Sequence, residues 1–133
     1  MIARTPILPQ RTRAIQGSFA AIEHRFLRSG FWETLNQHEL LLYLFLVLVG
    51  DRQGLSWYGY DKIMSLLAFS LDEYIWARDG LINKDLIAFD GRMFQVLSLP
   101  ETPVRQGPLV SREDMVRADP ATFRQILEGN HAR

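Results

Sequence analysis

Ten consecutive apolar residues, Leu40 to Val49, constrain this chain more than any other feature in it. The run is too short for a bilayer, which takes about 20 apolar residues in a helix, and long for an ordinary strand. Its ends are marked. Asn36 and, three residues later, Glu39 have the form of a capping box, and Gly50 closes the run. The expectation is a helix from about Asn36 to Val49. A helix apolar on all sides belongs at the centre of a core, or has one face against another subunit, and both arrangements stay open at this point.

The surrounding sequence supplies the other elements. Residues 1–16 contain Pro6 and Pro9 with no hydrophobic period and read as a flexible arm. Phe19 to Ile22 fits a short extended segment, and Glu23 to Gly30 fits one helical turn around Phe26 and Leu27, with Gly30 as its stop. Asp51 to Gly54 is a turn, followed by a short strand from Leu55 to Tyr58. A short helix over Tyr60 to Ala68 places Ile63, Leu66 and Leu67 on one face. Ser70 caps the next helix, and Asp72 and Glu73 in its first turn suit the helix dipole. That helix stops near Lys84 or Asp85. Leu86 to Phe89 and Met93 to Leu97 are strands, and Asp90-Gly91 between them is the signature of a type I′ hairpin. After Pro100 a Pro- and Gly-containing linker leads to Asp119-Pro120, an N-cap followed by proline at the first helical position. The helix that follows carries a stripe of Phe123, Ile126 and Leu127.

Composition narrows the class. With 133 residues, eight Phe, four Tyr and three Trp, the chain has material for one core without staples. It has no Cys, so neither a disulfide framework nor a thiolate metal site is available. His24, His38 and His131 lack ligand spacing, and no metal or other cofactor is expected. No secretory signal precedes the domain, so the expected location is cytoplasmic, away from any membrane. The net charge is zero but uneven. Residues 1–35 carry five Arg against Glu23 and Glu33, whereas residues 36–99 carry five basic and eight acidic side chains.

The order is helix, short strand, helix, turn, helix, strand, tight turn, strand. The expected fold is therefore mainly α with a small β-hairpin, in the connectivity of a winged helix-turn-helix over residues 17–99. Residues 1–16 form its arm, and residues 100–133 a linker and a C-terminal helix. The stretch from Phe19 to Leu97, about 80 of the 133 residues, resembles the winged-helix domains of bacterial plasmid and phage replication initiators and related regulators. The matching features are Asn36 to Glu39 leading to Tyr43, then Tyr58 and Tyr60 leading to Ile63 and Leu67, then Ser70 leading to Leu81. Leu81 to Ile87 keeps the closing pattern of the recognition helix, with Asp85 where the family commonly has Gly. The resemblance implies a non-enzymatic, DNA-associated protein, a transcription regulator or a replication or mobile-element accessory factor, able to form a dimer.

The residues of the reading helix fit that role poorly. Its expected outward positions are Asp72, Glu73, Ile75, Trp76 and Asp79, and three carboxylates facing a polyanion forfeit the electrostatic term in DNA binding. The expected DNA contacts are instead Arg11 and Arg13 on the arm, Lys62, Lys84 and, on the wing, Arg92. The competing expectation is a winged helix used for protein interaction or dimerisation. Ile75 and Trp76 would serve it, or Phe123, Ile126 and Leu127 of the C-terminal helix. No phosphate-cradling loop, HExxH, GxSxG or paired-Cys motif points to catalysis, and no small-molecule ligand is indicated.

Overall fold

The structure is a computed structural model describing residues 4–104. The expected C-terminal helix with Phe123, Ile126 and Leu127 lies outside the described residues. Among these residues the chain is mainly helical, with one small sheet. Helix α1 spans Arg25–Arg28, α2 Gln37–Val49, α3 Tyr60–Leu67 and α4 Leu71–Asn83. Strands β1 (Leu55–Ser56), β2 (Ile87–Phe89) and β3 (Phe94–Val96) form an antiparallel sheet in the order β1-β3-β2. Ser56 faces Phe94 across one pair, and Ile87 faces Val96 across the other.

Helices α2 and α4 cross at the centre, and both begin with a complete capping box. The Asn36 side chain accepts from the Glu39 N–H at 2.9 Å while the Glu39 carboxylate accepts from the Asn36 N–H at 2.9 Å. Ser70 and Glu73 repeat this reciprocal pair at the start of α4. The Ser70 cap follows from the sequence, and the closing of its box by Glu73 adds a second satisfied N–H. Leu42, Leu46, Ile63 and Leu81 are fully buried where α2, α3 and α4 meet, and Leu86, Ile87 and Phe94 close the core from the sheet. Phe26 of α1 stacks on Tyr43 at 4.9 Å between ring centres.

One polar lock joins the two long helices. The Glu39 carboxylate receives the Lys84 ammonium at 2.7 Å, and the same ammonium donates to the Thr34 carbonyl at 2.6 Å. The other carboxylate oxygen of Glu39 lies where a Cβ on Gly80 would stand. Glycine in mid-helix therefore sets how closely α2 approaches α4.

The ends of α3 and α4 both use a left-handed residue that is not glycine. Ala68 ends α3 at φ +57°, with the Phe69 N–H donating back to Met64. Asp85 follows α4 at φ +63°. Around it the Leu86 N–H reaches the Leu81 carbonyl and the Asp85 N–H the Ile82 carbonyl, the two bonds of a Schellman motif. Thus Asp85 takes the C′ position usually filled by glycine, and aspartate is among the few other residues that tolerate it.

The hairpin differs from the expected type I′ turn. Residues 90–93 form a four-residue loop between Phe89 and Phe94. Gly91 has φ +101°, but Asp90 is not left-handed. Its carboxylate instead accepts from the Arg92 and Met93 N–H groups at 2.9 and 2.7 Å. The side chain organises the loop, a role that competes with the backbone twist of a two-residue turn. Residues 4–24 are exposed throughout, with only a 3-10 turn at Pro9–Arg11. Phe19 to Ile22 forms no strand.

Candidate interaction surface

Helix α2 carries two apolar stripes, not one. Glu39, Leu42, Tyr43 and Leu46 point inward. Leu41, Leu44, Phe45 and Leu48 repeat the same i, i+3, i+4, i+7 spacing two residues later, about 200° further round the helix. The core covers the first stripe fully and reaches only Phe45 of the second, which packs half-buried against it. On the other side Leu41 is 46 % exposed, Leu44 45 % and Leu48 61 %. The other residues from Leu40 to Val49 are buried or half-buried, so α2 is covered on most of its surface and open along this one line.

This outer face continues into the segment after β1. The Phe45 ring meets the Tyr58 ring edge-on at 5.2 Å, and Phe45 is half-buried against the core. Trp57, beside it, is 56 % exposed. Between the end of α2 and the start of α3 lies an open hollow of about 500 Å³, lined by Val49, Leu55, Ser56, Trp57, Tyr58 and Lys62 among others. No charged residue interrupts α2 from Leu40 to Val49. The surface is thus an uncharged helix face with two aromatic side chains at its end. From the sequence, the outward side of α2 stays open, and Trp57 and Tyr58 are expected in the strand from Leu55 to Tyr58, whereas β1 ends at Ser56. An unbroken apolar run has no polar face to show which side is outward, so periodicity could not separate the two stripes.

The presumed reading helix, α4, is a different kind of surface. Tyr74, Ala77, Arg78, Asp79, Gly80 and Leu81 are all buried in it. Asp79 is thereby corrected from an outward to an inward position: its carboxylate accepts from the Arg78 guanidinium at 2.9 Å. The guanidinium itself lies over the Tyr74 and Phe89 rings, 5.4 and 5.3 Å from their centres. Burial raises the Tyr74 phenol above its usual value. Ile75 and Trp76 are half-buried, and Ile75 packs against the core. Glu73 stays in the first turn, where its carboxyl is held below the usual range by the Ser70 N–H and, further, by His38 at 3.3 Å.

The expected phosphate contacts divide. Lys84 is corrected: its ammonium is committed to Glu39 and Thr34 inside the fold. Arg11 and Arg13 are exposed on the arm, Lys62 in the first turn of α3, and Arg92 in the hairpin loop. Lys62 follows Asp61 directly, and Arg92 comes two residues after Asp90, so each of these two cations has a carboxylate close to it in the chain. The Asp90 carboxyl is kept below its usual value by the Met93 N–H, then by that of Arg92. Among the described residues no group of three His, Asp or Glu side chains is placed to hold a metal, and no helix is long and apolar enough to cross a membrane. In comparisons with known proteins, no family model, no curated protein and no solved structure matches the chain.

Proposed function

We propose that residues 17–99 form a winged helix that acts as a protein-interaction module, and that α4 does not read DNA. The winged-helix reading is supported by the order α2, β1, α3, α4, β2, β3 and by β1 joining the hairpin as the third strand of the sheet. One observation carries the functional reading: the cations of the α4 region, Arg78 and Lys84, are turned inward, while an uncharged leucine face on α2 is turned outward. Phosphate affinity needs unpaired surface cations, whereas a contiguous exposed apolar patch marks a surface that meets protein. A photo-crosslinking amino acid placed at position 48, and separately at position 92, tests the reading in cells that make the protein. Protein adducts at position 48 are expected. Nucleic-acid adducts from position 92, with no protein adduct at 48, would overturn it.

The second reading is DNA association through the arm, α3 and the wing. It is favoured by the exposure of Arg11, Arg13, Lys62 and Arg92. Fluorescence anisotropy at low salt separates the two. The interaction reading expects binding no tighter than tens of micromolar, the range of weak non-specific contact. Tighter binding that weakens when Arg11 and Arg13 are changed to Ala would favour DNA association.

A further inference from the structure

We infer that the occupant of the outer α2 face is a second copy of this chain, packed antiparallel to the first across a two-fold axis. The inference rests on the protein-interaction reading and names its partner.

The pattern itself is self-complementary. A two-fold interface brings one surface patch against an identical one, so it must avoid like charges and match knobs to gaps. Leu41, Leu44, Phe45 and Leu48 carry no charge, and neither does any other residue from Leu40 to Val49. Nothing on the face selects a charged partner, and nothing on it repels its own copy. The stripe is also symmetric about its midpoint, between Leu44 and Phe45. In an antiparallel pair Leu41 of one copy therefore meets Leu48 of the other, and Leu44 meets Phe45. The stripe spans eight residues, Leu41 to Leu48, about 10 Å at a helical rise of 1.5 Å per residue. Antiparallel packing also sets the positive N-terminal end of each α2 beside the negative C-terminal end of the other, the favourable side-by-side arrangement.

The area agrees with an interface of modest strength. Taking an aromatic side chain as about 200 Å² and leucine as somewhat less, the exposed parts of Leu41, Leu44, Leu48, Trp57 and Tyr58 amount to roughly 500 Å² per copy. A pair that covers all of it would bury roughly 1,000 Å², below the range of about 1,200–2,000 Å² for stable interfaces and within that of weak, transient ones. A reversible dimer is expected, with dissociation in the micromolar range.

Sedimentation velocity on the full chain, from about 1 to about 200 µM, tests this. The expected result is a concentration-dependent monomer–dimer equilibrium. Leu48→Glu and Leu41→Lys should each leave a folded monomer, as judged by an unchanged circular-dichroism melt, because both leucines are about half exposed. Mixing the two variants should restore a dimer, since the antiparallel pair sets position 41 against position 48. A wild-type monomer at the highest concentration would overturn the proposal, as would a dimer that survives both substitutions. Two monomeric variants that do not recover on mixing would overturn the antiparallel pairing. A wild-type monomer whose position 48 still crosslinks to a different polypeptide would remove the second copy and leave the interaction reading standing. Adducts to nucleic acid alone would remove both.

Discussion

At Gly80 a hydrogen occupies the place where any other residue would push a carbon into the Glu39 carboxylate. Gly80→Ala therefore sets two effects against each other. Alanine gains about 1 kcal/mol of helix propensity. Displacing Glu39 breaks its pairing with Lys84, a largely buried ion pair whose disruption costs about 3 kcal/mol. The net expectation is a loss of about 2 kcal/mol, read as a lower urea midpoint at unchanged slope. Ala68 and Asp85 work the other way. Each holds a left-handed backbone that costs an L-residue about 1 kcal/mol, so Ala68→Gly and Asp85→Gly should each raise the midpoint slightly. An unchanged or lower midpoint in both would count against strain at these caps. Asp85 was marked in the sequence only as the end of α4, without its left-handed backbone. Ala68 was not legible as a left-handed cap, since alanine carries no turn signal. Nor was the lock, because nothing in the sequence says that residues 39, 80 and 84 converge.

The helices were legible to within a residue or two, for a local reason: caps and breakers act on their own neighbours. Asn36, Gly50 and Ser70 announce α2 and α4 whatever surrounds them. What packs on each face is decided by distant elements, so the orientation of α2 and the inward turn of Asp79 were not. The two stripes of α2 should separate cleanly by mutation. Leu46→Ala, fully buried, is expected to cost about 3 kcal/mol. Leu48→Ala should change stability by no more than about 0.5 kcal/mol when measured at a concentration too low for association. Similar losses at both positions would mean that the outer stripe is not outer. The caps also carry a pH signature. Glu73 and Asp90 titrate below their ordinary values of 4.5 and 3.8, held chiefly by backbone N–H groups. A carboxyl whose folded pKa is depressed adds stability above its unfolded value, and that stability is lost as pH falls through the folded one. The urea midpoint should therefore drop on acidification below about 4.5, and Glu73→Gln with Asp90→Asn should flatten that limb.

At the scale of the whole molecule, one side chain joins the two sides of the described chain. The Arg25 guanidinium donates to the Leu99 carbonyl at 2.9 Å and to the Pro100 carbonyl at 3.1 Å, across more than seventy residues of sequence. It also lies 5.4 Å over the Phe31 ring, beside the Phe26–Tyr43 stack. Its place in the fold, at the start of α1, is that of a clamp. The clamp holds α1 and the aromatic cluster against the segment that follows β3 at Leu99 and Pro100, so the segment ahead of α2 becomes part of the domain. A hydrogen bond to a charged group contributes about 1.5–3 kcal/mol when sheltered. Arg25 is about a third exposed and also pairs with Glu23 at 3.2 Å, so the two bonds together should contribute nearer 2 kcal/mol. Arg25→Ala is expected to lower the urea midpoint by that amount and to speed amide exchange from Phe26 to Leu35, leaving α4 and the sheet protected. Arg25→Lys should recover little, because a single ammonium cannot span two carbonyls as a planar fork does. Uniformly faster exchange across the whole domain would show that the clamp supports the entire fold and not this segment alone. An unchanged midpoint would show that α1 is held by its aromatic packing and that the clamp contributes nothing measurable.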